Sequence, residues 1–255
     1  MYYEEIARIS AAAQAKTGLL RAGKGKYILA SALAGMYVGF GILLIFTIGG
    51  LLAQVQSPAV KIVMGLCFGI ALSLVIMAGA ELFTGNNMVM TIGQLEKKVT
   101  AREVLSIYFF SFAGNLLGSV LLAGLFAYSG LLGGSTEIFI VKTAQIKMAL
   151  PWDQLLLRGI LCNTLVCLAI WCSFRMKEET GKLIMVFWCL FAFITTGFEH
   201  SVANMTLLAA ALFVPDGAGV SLTGFAYNLA WVTLGNFIGG VLAVAFPYWY
   251  IAKQN

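Results

Sequence analysis

The chain has 255 residues, is 60% hydrophobic with a mean hydropathy of +0.91, and carries only 11% charged residues, well under the roughly 25% usual in soluble proteins. That composition excludes an ordinary soluble domain; divided into apolar spans of about 20 residues with short loops, the length suits six membrane crossings. The net charge of +5 comes from 16 Lys and Arg residues scattered between apolar runs, and with no basic stripe interleaved with aromatics it does not describe a nucleic-acid surface.

The N-terminus, MYYEEIARIS, has no basic stretch ahead of an apolar core and does not read as a cleaved secretory signal. Tyr2, Ile6, Ile9, Ala13 and Leu20 recur at helical spacing with Glu4, Glu5, Arg8, Gln14 and Lys16 between them. Residues 1–20 therefore read as an amphipathic helix lying on the membrane surface. From Tyr27 to Val60 no residue is charged, and the first span is placed at 28–53. Spans three, four and six follow at 104–129, 155–174 and 222–250.

Spans two and five differ. Ile62–Leu95 and Leu183–Pro215 each hold a single acidic residue, Glu81 and Glu199. A straight helix of either length would measure about 50 Å at 1.5 Å per residue, against a hydrocarbon core of about 30 Å. Each must be interrupted, and GAELFTGNN (79–87) and GFEHSVANM (197–205) bring glycine, asparagine and hydroxyl groups into otherwise apolar runs. Non-helical backbone at that depth is tolerated only against protein or a water-lined cavity.

The halves repeat one another. Gly79-x-Glu81-x4-Asn86 matches Gly197-x-Glu199-x4-Asn204, and Gly114-Asn115-x-x-Gly118 matches Gly235-Asn236-x-x-Gly239 in the same order. Three spans per half give the copies opposite orientation. The fold expected is an all-α membrane protein of six transmembrane helices in two inverted three-helix repeats, 27–129 and 155–251, with spans two and five broken, all in one domain. Twelve basic residues fall on the side of the termini and only Lys61, Lys142, Lys147 and Arg158 on the other, which places both termini in the cytoplasm. The five cysteines all fall inside spans and read as free thiols without a function. Paired small residues such as Gly35/Gly39, Gly65/Gly69 and Gly114/Gly118 read as helix-packing contacts.

Glu81, Glu199 and His200 are ionisable groups deep in the membrane, each costly there unless partnered or hydrated. The repeated glutamates read first as acceptors for backbone N–H groups freed at the breaks, and second as a polar pore site. His200 has Leu82 as its counterpart, and an unrepeated ionisable group points to function. As the only histidine it cannot build a multi-histidine metal site, but it exchanges a proton near neutral pH. Thr84, placed in the first loop, is equally a backbone cap or a hydroxyl for the same site. Lys147 reads as a solvated loop lysine, with concentration of anions at the outer mouth as the alternative. Half-helix N-termini meeting at mid-membrane attract anions. No nucleotide-binding, metalloprotease or Ser/His/Asp arrangement is present, so no cofactor, metal or enzymatic activity is expected.

ELFTGN at 81–86, GFEHSVANM at 197–205 and Lys147 ahead of Asn163 resemble the formate/nitrite transporter family along essentially the whole chain. The resemblance implies a homopentamer of aquaporin-like protomers in the cell (inner) membrane, each with its own pore for small inorganic or organic monovalent anions: hydrosulfide, formate or nitrite. By position it implies pore roles for His200, Thr84, Lys147, Asn163 and Glu199, apolar constrictions at Phe68, Leu72, Leu82 and Phe193, and protonation at the histidine. ELFTGNNMVM looks closest to the hydrosulfide branch. Lys16 is a candidate for a gate at the inner mouth, should the N-terminal helix close it. The alternatives are an aquaporin-like channel for small neutral solutes, against which the absence of Asn-Pro-Ala boxes argues, and a membrane enzyme using Glu199 and His200.

Overall fold

The computed structural model describes residues 1–215 and 219–253; residues 216–218, inside the second repeat as drawn above, and 254–255 lie outside the described part. The described residues form helices and connections, without a strand. In chain order these are α1 (Tyr3–Ala22), α2 (Lys24–Gln54), α3 (Val60–Gly79), α4 (Phe83–Leu95), α5 (Ala101–Tyr128), α6 (Gly134–Ala149), α7 (Trp152–Arg175), α8 (Glu179–Thr196), α9 (Ser201–Leu212) and α10 (Leu222–Ala252). Six of them, α2, α3, α5, α7, α8 and α10, are long and apolar enough to cross a membrane. Their outer faces carry exposed Leu105, Phe109, Leu117, Leu161, Trp188 and Leu242, as surfaces turned to lipid or to other helices in the membrane require.

Both expected breaks are present, and both are shorter than the polar strings suggested. The chain leaves α3 through Gly79 at φ +79° and α8 through Gly197 at φ +84°, the left-handed conformation that glycine adopts without strain. Only Ala80–Leu82 and Gly197–His200 are non-helical. Thr84, Asn86 and Asn87 are therefore in α4, and Asn204 is in α9. An asparagine from the GNxxG segment of the same repeat satisfies each break. Asn115 Oδ1 accepts from Phe83 N–H at 2.8 Å while its Nδ2 donates to the carbonyls of Ser31 (2.7 Å) and Glu81 (2.9 Å). Asn236 does the same in the second repeat, accepting from Ser201 N–H at 2.8 Å and donating to Gly159 and Glu199 carbonyls. The remaining N–H groups of Glu81 and Glu199 reach the carbonyls of Ala30 and Arg158.

The glycines of these segments let the helices approach closely enough for such reach. A Cβ on Gly118 would strike the carbonyl of Ala32 on α2, and one on Gly239 that of Ile160 on α7. The repeats match down to these contacts.

The N-terminal helix departs from expectation. Its apolar stripe, Ile6, Ile9 and Ala13, is buried in a cluster with Met88, Val89 and Ile92 of α4, and Ala13 lies against Gly93. An amphipathic stripe fits lipid or protein equally well, and here α4 occupies it.

Candidate pore site

Thr84 and His200 sit at the starts of the two inner half-helices. Thr84 is the second residue of α4; His200 caps α9, its Nδ1 accepting from Ala203 N–H at 3.0 Å. That bond occupies the Nδ1 lone pair, so in the neutral ring the proton resides on Nε2. Nε2 lies 3.1 Å from Thr84 Oγ1, and both side chains are buried.

On the His200 side of this contact the walls are apolar. Phe68, Leu72, Leu82 and Phe193 join His200 around a chamber of about 10 Å³, room for about one water molecule. Phe68 meets Phe193 edge to face at 5.6 Å, and Phe193 stacks on the His200 ring at 5.9 Å. Leu72 and Leu82 also line a second cavity of about 470 Å³ that contains Lys16, Glu81, Asn86 and Lys182. They form the wall between the wide vestibule and the chamber.

Two lysine–glutamate pairs occupy equivalent places in the two repeats. Lys16 of α1 donates to both carboxylate oxygens of Glu81 at 2.9 and 2.8 Å, and Lys147 of α6 donates to Glu199 at 2.6 Å. Each glutamate also accepts from the asparagine five residues on, Asn86 at 3.4 Å and Asn204 at 2.6 Å. Tyr27 adds a third donor to Glu81 at 2.8 Å, whereas Asn204 is shared with Asn228. Neutralising a buried carboxylate in this way offsets the several kcal/mol that an isolated ion would cost there. The pairs carry the repeat outward to α1 and α6, beyond the limits drawn from the motifs.

The Formate/nitrite transporter family description matches residues 3–250. The chain belongs to this family. Among its relatives, the nitrite transporter NirC of Salmonella typhimurium is 46% identical over 230 residues, 89% of this chain and 83% of that one. The probable formate transporter of Methanothermobacter thermautotrophicus is 37% identical over 249 residues, 90% of each chain. A solved FNT family ion channel superposes with a TM-score of 0.92 at 42% identity, covering 98% of this chain and 99% of its own. A pentameric formate channel with formate bound superposes with a TM-score of 0.81 at 27% identity, covering 92% and 99%. The protein is an integral membrane protein with the fold of those channels, and its relatives are transporters and channels.

Within this family member, two sequence readings need correction. The glutamates do not hold the freed backbone, a task that falls to Asn115 and Asn236; they hold lysines. Lys147 is not a solvated loop lysine: it lies in the last turn of α6, 18% exposed, against a Glu199 that is 2% exposed. Asn163 is brought beside Thr84: its Nδ2 is directed to the carbonyls of Thr84 and Asn236 and to Asn87 Oδ1, and neither Asn163 nor Thr84 is among the residues around the small chamber. The clamping role of Asn115 and Asn236 went unread although their repeat was plain, because sequence does not tell which carbonyls a side chain reaches.

Proposed function

We propose that the chain is a channel for small monovalent anions of weak acids, nitrite first, with formate and hydrosulfide in the same class. The observation that carries this reading is the buried His200, which meets Thr84 Oγ1 at 3.1 Å and shares a small apolar chamber with Phe68, Leu72, Leu82 and Phe193. The family and the names of the relatives favour anions over neutral solutes, and NirC at 46% identity puts nitrite ahead of the others.

The physical problem is the desolvation of a charge in an apolar constriction. Lys147 and Lys16 draw an anion to either mouth, while Glu199 and Glu81 keep each lysine from holding it tightly. At the centre, the N-termini of α4 and α9 present positive dipole ends, and His200 Nε2–H and Thr84 Oγ1–H supply hydrogen bonds. The proton that neutralises the anion comes from bulk water: Nδ1 takes it up as Ala203 N–H lets go, a loss of about 1 kcal/mol for one hydrogen bond, and Nε2 gives its own proton to the anion. A neutral acid then crosses the apolar walls, and the ring, left neutral with its proton on Nδ1, returns to the Nε2 tautomer by exchange with water.

The bilayer setting follows from the fold; the orientation proposed has both termini in the cytoplasm and the chain in the cell membrane, from the distribution of Lys and Arg. The pentameric neighbour supports a homopentamer, and the proposal places one pore in each protomer. Sealed proteoliposomes offered nitrite, formate and hydrosulfide, with glycerol as the neutral control, test the reading. Protein-dependent uptake of the anions above glycerol supports it. Glycerol uptake without anion uptake overturns it in favour of a neutral-solute channel.

A further inference from the structure

The Thr84–His200 pair is held from behind by a set of contacts in which donors and acceptors do not balance. Asn163 Nδ2 has two protons and faces three acceptors: Asn236 O at 2.6 Å, Asn87 Oδ1 at 3.1 Å and Thr84 O at 3.2 Å. Meanwhile the Nδ2 of Asn87 and the Oδ1 of Asn163 are buried without partners. The farthest of the three acceptors, Thr84 O, is the one that receives another donor. One helical turn further along α7 the thiol of Cys167, wholly buried, donates to it at 3.6 Å.

A third helix closes over this arrangement. The backbone of α10 widens into a π-helical stretch over Gly239–Ala245, and Gly240 there faces the same side chains. A Cβ on Gly240 would lie 2.8 Å from Asn163 Nδ2, 2.9 Å from Asn87 Cβ and 3.1 Å from Cys167 Sγ. Cβ contacts that close force neighbours to move in a packed interior, and π-helical turns of this kind concentrate at functional sites.

We infer that Cys167 and Gly240 are positioning residues for the pore: Cys167 adds a hydrogen bond to the Thr84 carbonyl beside that of Asn163, and Gly240 leaves room for both, so that the Thr84 hydroxyl meets His200. The inference rests on the proposed channel site for its functional meaning, but the geometry it describes can be read without transport. His200 is the only histidine, so protein labelled with 15N-histidine gives a single imidazole.

The test is the 15N spectrum of that imidazole across pH, in wild type, Cys167→Ala, Cys167→Ser, Gly240→Ala and, as a control for losing a buried thiol elsewhere, Cys189→Ala. Serine and alanine leave similar space but only serine keeps a donor. The expected result is a moved Nε2 resonance and titration in Cys167→Ala and Gly240→Ala, with Cys167→Ser closer to wild type and Cys189→Ala coincident with it. Anion flux in Cys167→Ala falls about threefold, the size of one weak hydrogen bond. Spectra of both Cys167 variants that overlay wild type, or a serine variant displaced as far as alanine, overturn the inference even if Gly240→Ala fails to fold. Absence of wild-type anion flux would overturn the channel reading and leave the spectra to decide on the positioning role.

Discussion

Thr84 and His200 stand 116 residues apart in the chain and 3.1 Å apart in space, one at the start of α4 and the other capping α9. Two broken helices of opposite repeats thus meet at a polar contact with an apolar chamber on its His200 side. If the Thr84 hydroxyl shares in stabilising the anion, Thr84→Val keeps the size of the side chain and removes the donor. Anion flux then falls about threefold to tenfold, corresponding to the roughly 0.5–1.5 kcal/mol of one hydrogen bond, with the melting temperature little changed. Flux measured at wild-type level would remove Thr84 from the site.

The two asparagine clamps set the shape of the breaks. Asn115→Leu removes three hydrogen bonds and leaves the buried N–H of Phe83 unpaired, a destabilisation of about 2–4 kcal/mol. Asn236→Leu has the equivalent effect in the second repeat. Thermal melting in detergent should show both variants clearly below wild type and close to each other. A normal melting temperature for either would mean that its break is held by something else.

Lysine removal should be asymmetric. Lys147→Met leaves Glu199, which is 2% exposed, a charge with only Asn204 donating, whereas Lys16→Met leaves Glu81 at 13% exposure with Tyr27 and Asn86 still donating. Breaking a buried pair from one side costs about 3–5 kcal/mol, so Lys147→Met lowers the melting temperature more than Lys16→Met. Adding Glu199→Gln to Lys147→Met recovers part of the loss, because the stranded charge is gone. A double variant less stable than the single one contradicts this account of the pair.

The aromatic pair of the constriction should exclude neutral solutes by size. Phe68→Ala opens the chamber beside Phe193 and His200, and glycerol permeability of proteoliposomes rises severalfold while anion flux persists. Glycerol permeability equal to wild type would place the narrowest point elsewhere.

Much of this was legible in the chain, for reasons that differ by element. The breaks at Gly79 and Gly197 could be read because a run of more than 30 apolar residues is too long for the bilayer and glycine marks the exit. The inverted repeat could be read because GNxxG follows the Glu-x4-Asn motif in the same order in both halves. The pairing of Lys16 with Glu81 and of Lys147 with Glu199 could not, since the partners lie 65 and 52 residues apart on helices without a shared motif. Nor could the partner of the α1 stripe, because periodicity reports that a face is buried and not whether lipid or α4 covers it. Asn163 was found through family resemblance, which gives a position but not the direction of an amide.

The most direct test of the central claim is the pH dependence of nitrite uptake into proteoliposomes for wild type and His200→Asn. Asparagine still caps α9, but it does not titrate. The account predicts that the variant remains folded and carries less anion, and that the proton-dependent rise of wild-type flux on acidification is flattened. A variant whose pH profile superimposes on wild type would contradict proton delivery through His200.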